Sequence, residues 1–181
     1  MNPAQAIRLS KFLSLHLRHR SEALGLALQA GGWVGVEELL AACIRKGQAI
    51  SRAQLDELVR GSDKQRFAYD ETGTRIRAQQ GHSVAVDLEL MPSEPPAELY
   101  HGTVAAAMPA IRGEGLRKMN RHHVHLSPDP ETARRVASRR GQPVVLVVDA
   151  AGLYESGAVF YESGNGVWLV DQVPPEFLRE A

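Results

Sequence analysis

The sequence centres on the segment GTRIRAQQGHS, Gly73–Ser83, near the middle of the 181-residue chain. Apolar and polar side chains alternate over Thr74–Ala78, which is typical of a half-buried β-strand. The aromatic run Phe67–Tyr69 and the turn cluster Asp70–Gly73 predict the first arm and the turn of a hairpin. Ile76 is then expected to face a core, with an arginine on either side of it facing the other way. This pair of guanidiniums predicts either a solvated strand face or a seat for a phosphate.

Composition limits the classes of function. Hydrophobic residues make up 44% of the chain, charged residues make up 23%, and the net charge is zero. A neutral protein does not hold nucleic acid through a broad electrostatic field, so phosphate recognition must be local. The arginines available for it are Arg18, Arg20, Arg75, Arg77, Arg139 and Arg140. The longest apolar run, Val144–Val148, is too short to span a bilayer, and no leader segment is recognised, so a cytoplasmic protein is expected.

A single cysteine, Cys43, lies among apolar residues at helical spacing. It cannot form an internal disulfide, and we expect a small core residue rather than a nucleophile. Cysteine pairs are absent from the sequence, so no metal site is expected.

The amino-terminal half predicts three helices followed by the hairpin. Their expected bounds are Pro3 to Arg18 or His19, Val36 to Lys46, and Ser51 to Gly61. Ser51 and Gln54 form a capping box at the start of the third. This order of elements indicates a winged-helix unit in residues 1–90.

A proline-rich linker at residues 91–98 separates this half from a second, sheet-rich domain at residues 99–181. Its strands are predicted at Leu99–His101, His123–Leu126, Pro143–Asp149, Ala158–Tyr161 and Val167–Val170. Its helices are predicted from Val104 to Arg112 and over about ten residues after Pro130.

Two segments of the second half carry candidate ligand-binding residues. Tyr100–Thr103 (YHGT) places a histidine at a strand end beside a glycine, and Arg121–Ser127 (RHHVHLS) adds three more histidines. Hydrogen bonding to a ribose or pyrophosphate is one interpretation, and structurally satisfied histidines are the other. A metal site would need converging ligands that the strand spacing does not provide.

Six motifs occur in order along nearly the whole chain: LSKFLS with LRH (Leu9–His19), GWV (Gly32–Val34), RIRAQQGHS (Arg75–Ser83), LYHGT (Leu99–Thr103), HHVHLS (His122–Ser127) and NGVWL (Asn165–Leu169). Together they resemble the RNA 2′-phosphotransferase family of the KptA type.

The resemblance implies an α+β enzyme with an amino-terminal winged-helix lobe for RNA and a carboxy-terminal lobe similar to ADP-ribosyltransferases. It implies removal of an internal 2′-phosphate from RNA, as in tRNA splicing and RNA repair, with NAD as a consumed co-substrate. The products would be 2′-hydroxyl RNA, nicotinamide and ADP-ribose 1″,2″-cyclic phosphate. A monomer that needs neither metal nor membrane is expected.

The resemblance also assigns residues. The catalytic set would be Arg18, His19, Arg77 and Arg139. NAD would lie against His101, Gly102, Thr103, His125 and Ser127. Arg75, Gln80 and His82 would contact the RNA or its phosphate. The active site is then expected to draw on both lobes.

One motif departs from the family pattern. Where the family commonly has arginine, an aromatic residue or histidine, then Gly-Lys-Pro, this chain has RRGQP at Arg139–Pro143. Alignment to the proline favours Arg139 as the third arginine, with Arg140 as its rival, and Gln142 replaces a lysine that would contact phosphate. Two other functions stay open: an ADP-ribosyltransferase that stops at the first step, and a non-enzymatic winged-helix protein that senses NAD.

Overall fold

The computed structural model describes residues 1–61, 65–83 and 88–181. They divide into two compact units, Met1–Glu89 and Leu90–Ala181. Each unit mixes helices with small antiparallel sheets and has a hydrophobic core of its own, so the chain is an α+β protein, as predicted. Within the described ranges, no helix is both long enough and apolar enough to cross a membrane.

The first unit begins with three helices, α1 (Pro3–Arg18), α2 (Val36–Arg45) and α3 (Arg52–Arg60). Local sequence accounts for their ends. Asn2 caps α1 by accepting a hydrogen bond from the Gln5 amide, and Ser51 and Gln54 form both bonds of the predicted capping box. Short 3₁₀ turns at Ser21–Leu24 and Ala30–Gly32 lie between α1 and α2.

The predicted hairpin is present and forms most of a three-stranded sheet. Its strands are β1 (Val34–Gly35), β2 (Phe67–Tyr69) and β3 (Arg75–Ala78), in the order β1-β3-β2. Ile76 lies opposite Val34 and Tyr69 in the antiparallel register. Its side chain is fully buried, so the two flanking arginines lie on the opposite strand face, as the alternation predicted.

The core of the first unit lies between the helices and this sheet. Leu9, Leu13 and Leu17 recur at helical spacing along α1 and are buried. Cys43 is also fully buried, and burial raises the pKa of its thiol to about 11. At neutral pH the thiol is therefore uncharged, which confirms the prediction of a core residue.

The second unit contains eight strands and three helices among the described residues. The strands are β4 (Glu98–Val104), β5 (Leu116–Arg117), β6 (Val124–Leu126), β7 (Pro143–Asp149), β8 (Phe160–Glu162), β9 (Trp168–Val170), β10 (Gln172–Val173) and β11 (Leu178–Glu180). The helices are α4 (Met108–Glu114), α5 (Pro130–Ala137) and α6 (Ala150–Glu155). The strands form sheets of order β11-β7-β4, β6-β9-β8 and β10-β5.

The boundary between β4 and the following helix differs from the prediction. Val104 was expected to open a helix, but it pairs with Pro143 and is the last residue of β4. A 3₁₀ turn at Ala105–Ala107 follows, and α4 begins only at Met108. Pairing with the full length of β7 therefore outweighs the local helical pattern.

Helix α5 packs directly on β4 at Gly102. A Cβ atom at this position would collide with the carbonyl oxygen of Ala133 and crowd the side chain of Ala137. Gly102 is therefore needed for close approach of the helix to the strand, a reason independent of any ligand.

A backbone bridge joins the first two sheet systems of this unit. Tyr100 and Ser127 exchange both of their backbone hydrogen bonds, at 2.9 and 2.7 Å. This bridge brings His101 of β4 next to the end of β6.

Candidate active site

Arg77 lies on β3 with its side chain partly buried. Its Nη1 donates to the carbonyl oxygens of Gly31 at 3.3 Å and Leu88 at 3.5 Å. Its Nε is buried and makes no hydrogen bond within the described residues. Burial lowers the pKa of Arg77, with an opposing contribution from Glu89, and the guanidinium stays charged at neutral pH. The side chain thus keeps hydrogen-bonding capacity for an anion.

Trp33 holds this guanidinium in place. The guanidinium carbon of Arg77 lies 4.5 Å from the centre of the indole ring, and that of Arg75 lies 5.5 Å from it. Gly31 has a left-handed φ of +76°, and a Cβ there would meet the Trp33 ring at 2.9 Å. The glycine is therefore required for the turn that presents both the indole and a carbonyl to Arg77.

Arg18 and His19 lie at the end of α1, where positive charge is favoured by the helix dipole. The segment after β3 returns to this helix end. The Ser83 amide donates to the Arg18 carbonyl at 2.9 Å, and the Ser83 hydroxyl lies 2.8 Å from Nδ1 of His19. The structure therefore joins the predicted Arg18-His19 pair to the far end of the RIRAQQGHS motif, which begins with the strand that carries Arg77.

The three residues assigned to RNA contact have different environments. Arg75 is exposed, and its Nε pairs with Asp70 at 3.0 Å, so part of its charge is neutralised within the hairpin. Gln80 is partly buried, and His82 is almost fully buried. Exposure therefore favours Arg75 for contact with RNA, and burial of His82 favours a structural role.

In the second unit, His101 and His125 lie together at the bridge between β4 and β6. Nδ1 of His101 is 3.1 Å from the carbonyl oxygen of His125. Desolvation lowers the pKa of His101, and the charges of Arg140 and Arg121 lower it further against the opposing effect of the His125 carbonyl. His101 is therefore neutral at pH 7. Ser127, which forms the bridge itself, lies two residues from His125.

Two arginines surround this pair of histidines. Nη1 of Arg121 lies 2.9 Å from Nδ1 of His125. Burial, and then the charge of Arg140, lower the pKa of Arg121. Arg140 thus acts electrostatically on both His101 and Arg121, which concentrates positive charge beside two neutral imidazoles.

The remaining predicted residues lie nearby in the fold. Thr103 is partly buried and lies in the same strand as His101, opposite Val144. Arg139 is exposed just after α5 and makes no hydrogen bond or ion pair with any described residue. The cluster around His101 contains the charge of Arg140, the rival at this position.

The sequence gave no role to Trp33 or Arg121. Trp33 lies in a turn, and its contact with Arg77 depends on strand pairing across more than forty positions of the chain. Arg121 precedes His125 by four residues in a loop, where spacing does not predict facing side chains. No group of three or more His, Cys, Asp or Glu side chains in the described part of the chain is placed to hold a metal ion.

These features define an α+β protein whose two units each carry arginine and histidine side chains suited to a phosphate-bearing substrate. A family model described as RNA 2′-phosphotransferase, Tpt1 / KptA family, matches residues 4–172. The chain is similar to proteins named probable RNA 2′-phosphotransferase from Streptomyces griseus (58% identical), Trichormus variabilis (59%) and Burkholderia pseudomallei (52%). The alignments cover 98%, 99% and 96% of this chain and 98%, 98% and 95% of those relatives. The chain belongs to the RNA 2′-phosphotransferase family and is an enzyme of the transferase class, as its motifs predicted.

Proposed function

We propose that this protein removes an internal 2′-phosphate from RNA, such as that at a ligated tRNA splice junction, and consumes NAD in the reaction. Family membership supports the transferase activity on RNA. The observation that carries the phosphate chemistry is Arg77, whose guanidinium is fixed by Trp33 and two carbonyls while its buried Nε makes no hydrogen bond within the described residues.

The reaction proceeds in two substitutions. First, an oxygen of the RNA 2′-phosphate forms a bond to the nicotinamide ribose carbon, and nicotinamide leaves with the electron pair of the broken C–N bond. Second, the adjacent ribose 2″-hydroxyl attacks the phosphorus, and the RNA 2′-oxygen leaves and takes up a proton. The products are 2′-hydroxyl RNA and ADP-ribose 1″,2″-cyclic phosphate.

The side chains suit these steps. Arg18 and Arg77 remain charged throughout and are assigned to binding the phosphate and stabilising the charge that develops during its transfer. His19 is the titratable member, and we assign proton transfer to its ring, which the 2.8 Å contact with Ser83 orients. Positioning of this kind contributes about 7–11 kcal/mol to lowering a barrier.

The chemistry of the second unit fits NAD. Neutral His101 and the hydroxyls of Thr103 and Ser127 offer donors and acceptors for ribose hydroxyls, and the charges of Arg121 and Arg140 favour the pyrophosphate. We therefore propose that the second unit is the ADP-ribosyltransferase-like lobe. The helices and three-stranded sheet of the first unit support its assignment as a winged-helix RNA-binding lobe.

The third phosphate-binding arginine is either Arg139 or Arg140. Sequence alignment to Pro143 supports Arg139. The electrostatic effect of Arg140 on His101 and Arg121 supports Arg140 as part of the NAD site. These assignments are compatible, with Arg139 acting on the RNA phosphate and Arg140 on the dinucleotide.

The decisive experiment uses purified protein, NAD and an RNA oligonucleotide with one internal 2′-phosphate, with products identified by mass. We expect dephosphorylated RNA and the cyclic phosphate. Arg77→Ala should lower turnover by about 100-fold or more, because it removes a fixed donor from the transferring phosphate. Arg77→Lys should not restore turnover, since an ammonium lacks the planar fork.

The matched control is Arg60→Ala, which removes an exposed arginine of the same unit, 3.8 Å from Asp56. It should retain full activity. Near-normal turnover in Arg77→Ala would remove this residue from the mechanism. Accumulation of RNA bearing ADP-ribose on its phosphate, without cyclic product, would instead identify a transferase that stops after the first step.

A further inference from the structure

The hydrogen bond between Arg121 and His125 determines where His125 carries its proton. A guanidinium only donates hydrogen bonds, so Nδ1 of His125, 2.9 Å from Nη1 of Arg121, must be the acceptor. The proton of the neutral ring then lies on Nε2. We propose that Arg121 is a positioning residue of the NAD site, which acts by holding His125 as the neutral, Nε2-protonated imidazole.

His101 has the opposite arrangement. The His125 carbonyl, 3.1 Å from Nδ1 of His101, only accepts hydrogen bonds, so His101 must donate from Nδ1. Desolvation lowers the pKa of His101, which leaves Nε2 of its neutral ring as an acceptor. One backbone bridge thus supports two histidines in different tautomers, with an Nε2 acceptor on His101 and an Nε2–H donor on His125.

The position of Arg121 is not explained by an ion pair. Arg112, Arg117 and Arg179 in the same unit each contact a glutamate, at 2.6, 3.1 and 2.6 Å. The hydrogen bond of Arg121 goes to an uncharged ring instead, and the nearby charge of Arg140 repels it. This arrangement gains little Coulomb energy in the ligand-free protein, whereas it suits a site that receives an anionic dinucleotide.

The two tautomers give the site a fixed polarity, and this consequence rests on the proposed use of NAD. A ribose hydroxyl both donates and accepts hydrogen bonds, so an acceptor on His101 and a donor on His125 can each bind one. Without Arg121, His125 is free to move its proton to Nδ1 and present a lone pair at Nε2. A ligand oxygen that needs a donor would then lose its hydrogen bond.

The test is nitrogen NMR of the histidine side chains in the full-length protein without ligand, where long-range couplings distinguish the two tautomers. In the wild type we expect His125 protonated at Nε2 and His101 at Nδ1. Arg121→Met keeps the length of the side chain but removes the donor, and His125 should shift to a mixture of tautomers. Arg121→Lys keeps a donor and should restore much of the Nε2–H form.

Binding and kinetics provide a second measurement. Arg121→Met should weaken NAD binding about 2- to 10-fold, the range for one lost hydrogen bond, and should leave the KM for RNA unchanged. Arg117→Met is the matched control, since Arg117 pairs with the exposed Glu114. It should change neither the His125 tautomer nor NAD affinity.

Two results would overturn the inference: a wild-type His125 protonated at Nδ1, or an Arg121→Met protein whose His125 tautomer and NAD affinity match the wild type. The first needs no variant, so it stands even if a substitution impairs folding. An inactive wild type with the predicted tautomers would count against the proposed function alone, because the tautomers are measured without substrate.

Discussion

Among single side chains, Asp70 shows how the central hairpin is fixed. Its carboxylate accepts hydrogen bonds from the backbone amide of Arg75, from the Arg75 side chain and from the Thr74 amide, each at 3.0 Å. These bonds, led by the Arg75 amide, lower the pKa of Asp70 to about 2 from the usual 3.8. Asp70 therefore stabilises the strand that carries Arg77.

The sign of the resulting pH dependence follows from this lowered pKa. Asp70 contributes its full stabilisation above its unfolded value of 3.8, and the contribution is lost as pH falls toward about 2. We expect Asp70→Asn to be less stable than the wild type at neutral pH, and the difference to narrow below about pH 4. Urea unfolding at several pH values measures it.

Glu71→Gln is the control for this prediction, because Glu71 is the exposed neighbour of Asp70 in the same turn. Its effect on stability should be small at every pH. A difference for Asp70→Asn that stays constant down to pH 3 would show that the carboxylate charge does not stabilise the hairpin.

Single residues also mark the limit of sequence-based prediction. The alternation around Ile76 correctly predicted which face carries the two arginines, because that pattern is local. It could not separate their roles. Arg75 pairs with Asp70 across the turn, while Arg77 meets carbonyls that lie 46 and 11 positions away. Those partners exist only once the strands have paired.

At the level of secondary-structure elements, the packing of α5 on β4 depends on Gly102. Gly102→Ala would place a methyl group against the Ala133 carbonyl, so the helix must move outward. We expect a loss of about 1–3 kcal/mol in the free energy of unfolding, or more if the backbone cannot adjust. Thermal unfolding monitored by circular dichroism measures it.

Gly113→Ala provides the comparison within the same unit. Gly113 lies in α4, and a Cβ there would have no atom within 4 Å. Because alanine favours helix over glycine, this variant should be as stable as the wild type or slightly more stable. Equal melting temperatures for the two variants would show that α5 does not press on β4.

Elements with strong local signals were predicted well. Caps and helical periodicity located α1, α2 and α3, and the apolar run located β7. The strands β5, β10 and β11 were missed because each has only two or three residues and exists through its partner. Val104 was wrongly assigned to a helix for the same reason, since only its pairing with Pro143 identifies it as strand.

At the level of the whole molecule, the two hydrophobic cores share no residues. The first lies within Met1–Glu89 and the second within Leu90–Ala181. We therefore expect the fragment Leu90–Ala181 to fold cooperatively on its own. If it is the NAD-binding unit, it should bind NAD within about tenfold of the full-length affinity, since no proposed NAD contact is missing.

The same fragment should release no cyclic phosphate from 2′-phosphorylated RNA, because Arg18, His19 and Arg77 belong to the other unit. Calorimetry with NAD and the product assay test both statements, with the full-length protein as reference. A folded fragment without NAD affinity would place part of the dinucleotide site in residues 1–89. A fragment with transferase activity would remove those three residues from catalysis.

The last strand, β11, has a consequence for the solution behaviour of the protein. It pairs with Leu146–Val148 along the edge of β7 that β4 does not cover. The segment VVLVV, Val144–Val148, is uncharged and rich in β-branched residues, the composition that drives chains to stack into fibrils once such an edge is open. Proteolytic trimming of these final few residues would thus turn a well-behaved enzyme into a seed for self-association, even though no catalytic group had been touched.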